Sequence, residues 1–202
     1  DVAVSSIQPT AEMISYFALI GTYVGILPVL IGLLWFPFIS KLSRSKYKFF
    51  LALTVGLLLF LGIHTAEEAI EISAENLSDV FNGVLLVATV AVVSFLGLNY
   101  VSDKLRNRAG ASKLAGPVAI ALMIAIGIGL HNFGEGLAIG AAIILGEAAL
   151  GAFLIVGFAL HNTTEGFAIA APMARTKLMI GKLAAMGMIA GVPAIFGAWV
   201  GG

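Results

Sequence analysis

Two stretches of the 202-residue sequence carry ionisable side chains in a pattern that serves metal chemistry. His131-Asn132-Phe133-Gly134-Glu135-Gly136-Leu137-Ala138-Ile139 is followed, thirty residues on (161 − 131 = 30), by His161-Asn162-Thr163-Thr164-Glu165-Gly166-Phe167-Ala168-Ile169. Each copy sets an imidazole and a carboxylate at i and i+4, on one face of a helix. Each lies in a strongly apolar run, where an ionisable group is costly without a partner. Two helices turning these faces toward each other supply two His and two Glu. Tetrahedral N/O ligation suits Zn²⁺, and imidazole with carboxylate also suits Fe²⁺, Mn²⁺ or Cd²⁺. Asn132 and Asn162 follow each histidine, and their amide oxygens are candidates to ligate a second ion or to orient the first ligand set. The competing reading of one intramembrane His or Glu is an interhelical hydrogen bond. Two matched His/Glu faces are more than that role requires.

The elements that position these residues follow from composition. The chain is 60% hydrophobic and 11% charged, against about 25% charged residues in soluble domains. Its mean hydropathy is +1.06. Lipid must therefore be the solvent for much of it, and the expected fold is an all-α integral membrane protein, a polytopic helix bundle forming one transmembrane domain over 1–202. Six apolar segments reach the roughly 20 residues that a bilayer helix needs: about 14–39, 49–72, 80–101, 114–145, 147–173 and 178–200. The absence of cysteine excludes disulfides and thiolate ligands. No basic face exists to neutralise phosphates, so nucleic acid is not a partner. The partners expected are divalent metal ions and the lipid bilayer, with a second copy of the chain as a candidate for a homodimer. No resident cofactor is expected.

The links between segments sort by charge. Lys41 to Lys48, Lys104 to Lys113 and Arg175 to Lys182 are basic; Glu71 to Asp79 and the turn near Glu147 carry no Lys or Arg. The positive-inside rule places the basic set in the cytoplasm, so the N-terminus is expected outside a plasma membrane, and after six spans the C-terminus as well. The polar start through Thr10 lacks the basic region of a signal peptide.

A third polar cluster, His64, Glu67, Glu68 and Glu71, covers one helical face at the external end of the second segment. Glu71 and Glu75 read as a solvated helix end. His64 and Glu68, deeper in, are candidates for an external entrance or an auxiliary metal site. The six methionines are scattered and read as packing. Glycines 127, 129, 134, 136 and 140 permit close helix approach in the fourth segment. Gly134 and Gly136 are also expected to weaken the helix around Glu135 and free carbonyls near the site.

On these residues the chain resembles the ZIP (Zrt/Irt-like protein) family of divalent metal transporters. The family's His-Asn-x-Pro-Glu-Gly motif is similar to 131–136, with Gly134 in the proline's place. Its His-Glu-x-Pro-His-Glu motif is similar to 161–166 at the first His and the final Glu, with Asn162 and Thr164 differing. Its His-x-x-Pro-Glu/Asp-Ala motif resembles His64 to Ala69, again without proline. The resemblance implies that His131, Glu135, His161 and Glu165 hold a transported ion, with Asn132 and Asn162 at an adjoining site. External termini agree with it. It also implies eight spans, two more than are counted here, so the end at Gly202 is expected to be a truncation.

The expected function is transport of Zn²⁺ or a similar ion toward the cytoplasm by rocking of one helix group against another. The alternative from another class is an intramembrane metal-dependent hydrolase using the same residues. Against it, there is no His-Glu-x-x-His pair and no nucleophile arrangement, and a catalytic metal keeps an open position that paired His/Glu faces do not favour. A third class is a metal-sensing or purely structural membrane protein. Metal binding requires neutral imidazole and ionised carboxylate, so affinity should fall as pH drops through the range near 6. Zn²⁺ titration calorimetry across that range checks this, and a flat affinity would count against His ligation.

Overall fold

The computed structural model describes residues 10–76, 82–108, 115–176 and 180–202. Among these, helices account for nearly all of the chain and no strand occurs. The first segment is built in pieces: α1 (Ala11–Gly21), a π-helical turn (Thr22–Ile26), α2 (Leu27–Leu33) and α3 (Phe36–Ser40). The rest are α4 (Arg44–Asn76), α5 (Gly83–Arg108), α6 (Ala115–Ile144), α7 (Ala148–Met173), α8 (Ile180–Gly191) and α9 (Pro193–Gly201). Among the described residues, five stretches are long and apolar enough to cross a bilayer: Ala11–Ser40, Gly83–Val101, Gly116–Ile144, Ala148–Met173 and Ile180–Gly201. The expected second span lies inside α4, which is not among the five. Several α4 side chains, those of His64 and Glu68 included, lie outside the described residues.

Local sequence explains the joints. Thr10 caps α1, its Oγ1 accepting from the Met13 N–H at 3.2 Å. Pro28 has no N–H to give the carbonyl four residues back. The helix widens just before it, the Leu27 N–H reaching back to Thr22 O, and the Thr22 hydroxyl bonds Ala18 O at 2.7 Å. Asn82 caps α5, its Oδ1 accepting from the Leu85 N–H at 3.0 Å. Between α6 and α7 the chain reverses at Gly146, φ +75°. There the Gly146 N–H bonds Ile143 O and the Glu147 N–H bonds Ala142 O, a Schellman ending that needs glycine's left-handed backbone. α8 and α9 are separated by a turn at Val192, with Pro193 opening α9 where its missing N–H costs nothing.

The chain divides into two compact units. One holds the described parts of Asp1–Phe36, Ile124–Ala170 and Lys177–Gly202. In it the first segment lies along both α7 and the last segment, and backbones meet where side chains are small. Gly166 faces the Val29 carbonyl, Gly32 faces Thr163 O, Gly136 faces Ala194 O and Gly197 faces Phe133 O. The Trp199 indole donates to Ile14 O at 2.9 Å. The other unit holds the described parts of Pro37–Met123 and Ala171–Thr176. There Tyr47 donates to Ala171 O at 3.2 Å, and Arg175 donates to Leu42 O while its guanidinium lies 4.8 Å from the Tyr47 ring centroid. Burial raises the Tyr47 phenol above its usual range, against the lowering pull of Arg175, and so keeps the donating hydrogen in place.

The helix weakening expected at Gly134 and Gly136 does not occur. α6 is continuous through both, and the interruptions fall instead at Thr22–Ile26, at Leu34 and Trp35, and at Val192, in the first and last segments. The two glycines also differ. A Cβ on Gly134 would meet nothing within 4 Å, whereas one on Gly136 would strike Ala194 O and Ala198 N. Gly134→Ala should therefore raise stability by up to about 1 kcal/mol, while Gly136→Ala should lower it by roughly 1–3 kcal/mol. Thermal unfolding in detergent micelles checks this, and equal midpoints would contradict the packing.

Candidate metal centre

Gly146 stands midway between the repeated motifs (146 − 131 = 161 − 146 = 15), so the antiparallel pair α6 and α7 brings both histidines to one level. Their rings lie 5.6 Å apart between centroids, tilted 49° to one another. The i,i+4 spacing then brings each carboxylate under its own imidazole: His131 Nε2 is 3.3 Å from Glu135 Oε1, and His161 Nε2 is 3.3 Å from Glu165 Oε1. The helices also cross-connect, with Glu165 Oε1 4.0 Å from His131 Nε2. Ligand atoms of His131, Glu135 and His161 all lie within 4.8 Å of one another.

These separations fit a small cation. Ligand atoms about 2.0–2.1 Å from a tetrahedral centre stand roughly 3.3 Å from each other. Both His–Glu pairs have that separation, and the ligand atoms of His131, Glu135 and His161 span no more than 4.8 Å. Burial divides the site into an accessible side and a floor. The histidine side chains are 24% and 33% exposed, the carboxylates 3% each. The donors are also poised rather than consumed: Glu135 Oε1, His161 Nε2 and both Glu165 oxygens are buried without a hydrogen-bond partner. A carboxylate with neither oxygen bonded, beside one with a single oxygen bonded, is costly in an apolar medium, and a divalent cation is a partner that would relieve both.

The structure thus brings His131, Glu135, His161 and Glu165 together. Asn132 and Asn162 are wholly buried beside these four, and it is their amide nitrogens that are engaged. Asn132 Nδ2 donates to Ala190 O at 3.0 Å, and Asn162 Nδ2 donates both to Val24 O at 3.1 Å and to Glu135 Oε2 at 2.8 Å. Both amide Oδ1 atoms are buried without a hydrogen-bond partner. The side chains of His64 and Glu68 lie outside the described residues. The Val24 and Ala190 carbonyls were not visible to motif reading. The available signal was a proline inside an apolar segment with glycine four residues later, present twice as Pro28/Gly32 and Pro193/Gly197.

Comparison with family models, with curated proteins and with solved structures returns no match to this chain. The site therefore rests on its own geometry. Replacing His131 and Glu135 together by alanine removes one imidazole and one carboxylate from a four-donor set, and Zn²⁺ binding by the purified chain should be abolished. Calorimetric titration measures this, and retained tight binding would exclude the site.

Proposed function

We propose that the chain is a transporter of divalent transition-metal ions of the Zrt/Irt-like kind. Zn²⁺ is its leading cargo, ahead of Fe²⁺, Mn²⁺ and Cd²⁺, moved toward the cytoplasm across a plasma membrane. The proposal takes six spans, α4 among them, with the N-terminus outside, as the charge pattern of the links favours. One observation carries it: two His/Glu pairs face each other within membrane-spanning helices, with ligand atoms buried and lacking hydrogen-bond partners.

Charge supports the same reading. Two ionised carboxylates and two neutral imidazoles around a divalent ion sum to zero, the state that costs least in a low-dielectric interior. The half-exposed imidazoles would receive the ion and the buried carboxylates would hold its charge. Helices broken at Thr22–Ile26 and Val192 flank α6 and α7, and broken helices beside a mid-membrane site are a feature of transporters that alternate access. Such breaks give a helix group a place to bend as the site turns from one side to the other.

Proteoliposomes loaded with an impermeant Zn²⁺ indicator test this directly. The wild-type chain should give uptake, and Glu135→Ala should fall to the level of empty vesicles. Wild-type protein that binds Zn²⁺ but moves none would make this a binding protein rather than a transporter. Uptake retained by Glu135→Ala would take the path away from α6.

A further inference from the structure

Asn162 uses both of its amide hydrogens, one on Val24 O and one on Glu135 Oε2. The Val24 carbonyl can only accept, so the orientation of the amide is fixed by chemistry. Val24 can serve because of Pro28. In an unbroken α-helix the carbonyl of residue 24 takes the N–H of residue 28, and proline has none. The π-helical turn from Thr22 to Ile26 sits at this point. Three links therefore run from a proline in the first segment to a carboxylate in α6: Pro28 releases a carbonyl, the carbonyl holds Asn162, and Asn162 holds Glu135.

The two carboxylates of the centre consequently differ. Glu135 has Oε2 engaged by the amide and Oε1 turned to His131 at 3.3 Å. Glu165 likewise has Oε1 turned to His161 at 3.3 Å, but no amide engages its Oε2. The geometry points to Asn162, seated on the carbonyl that Pro28 releases, as a positioning residue that makes Glu135 a one-oxygen ligand. This rests on the metal-binding reading above and adds a basis for selectivity. A carboxylate restricted to one oxygen keeps the coordination number low, as tetrahedral ions such as Zn²⁺ require, and disfavours ions that take six to eight oxygens.

The arrangement has a partial counterpart. Asn132, thirty residues before Asn162, donates to Ala190 O, which lies in the last turn of α8 just before Pro193, where helix carbonyls lack intrahelical donors. Asn132 shows no bond to Glu165 matching that from Asn162 to Glu135, and Glu165 keeps both oxygens open. The restriction falls on one carboxylate of the two.

Co²⁺ titration of the full chain in detergent micelles reads this out, because tetrahedral Co²⁺ absorbs visible light far more strongly than five- or six-coordinate Co²⁺. The wild type should give the intense spectrum. Asn162→Leu, which keeps all four metal-facing side chains, should weaken binding roughly 10-fold and lower the absorption intensity per bound ion as the second oxygen of Glu135 joins. Pro28→Ala should do the same, and the double variant should match Asn162→Leu alone, since the proline acts through the amide. Should Pro28→Ala not fold, the intensity change in Asn162→Leu decides the matter by itself. A strong wild-type spectrum left unchanged by Asn162→Leu overturns this inference and leaves the metal centre standing. So do losses that simply add in the double variant. No Co²⁺ spectrum from the wild type overturns the metal reading and this inference with it.

Discussion

Everything in the described site answers to the cost of two carboxylates held in helices apolar enough to span a bilayer. Glu135 and Glu165 are nearly inaccessible, and three of their four oxygens have no hydrogen bond. In hydrocarbon an unpaired polar group costs several kcal/mol, and an ionised one more. Such groups persist only where a partner arrives, or where neighbours are fixed closely enough that one can. The facing imidazoles, the tight reversal at Gly146 and the glycine contacts at 136 and 166 all serve that closeness.

The supporting helices meet the same constraint by a different route. A break in a spanning helix exposes carbonyls that lipid cannot satisfy. Here the carbonyls of Val24 and Ala190 accept the amides of Asn162 and Asn132, which are themselves polar groups inside the bundle. Each break therefore satisfies the polar side chain opposite it. The helices that bear the His/Glu pairs stay continuous, and irregularity is moved to the neighbours. That division leaves the i,i+4 spacing of each His and Glu intact in α6 and α7.

Much of the site was legible in the sequence because its key relation is local. Spacing of four along a helix and a repeat around a tight reversal are enough to bring His131, Glu135, His161 and Glu165 together. Membrane-length apolar runs set α6 and α7 to within a few residues. What periodicity could not reach was long-range. The bond from Asn162 to Val24 joins residues 138 apart, and that from Asn132 to Ala190 joins residues 58 apart. The backbone carbonyls that hold the two asparagine amide nitrogens were consequently out of its reach. The same limit misplaced the helix breaks: Gly134 and Gly136 have weak intrinsic preference for helix, yet α6 runs whole through both, and Pro28 and Pro193 mark two of the irregular points.

The π-helical turn carries a consequence of its own. Pro28 and Pro193 align with an offset of 165 (193 − 28), as do Gly32 and Gly197, and Val29 and Ala194. The carbonyls that receive the amides are offset by 166 (190 − 24). The first segment thus holds one more residue between carbonyl and proline than the last, and the wide turn absorbs it. A buried helix has no loop in which to hide an insertion, and an added residue turns everything beyond it by about 100° at 3.6 residues per turn. Taking up the surplus in a bulge preserves the phase of the glycine face on both sides of it. Length variation in such a bundle is thereby confined to a single turn of backbone, and the helices that carry the His/Glu pairs never register it.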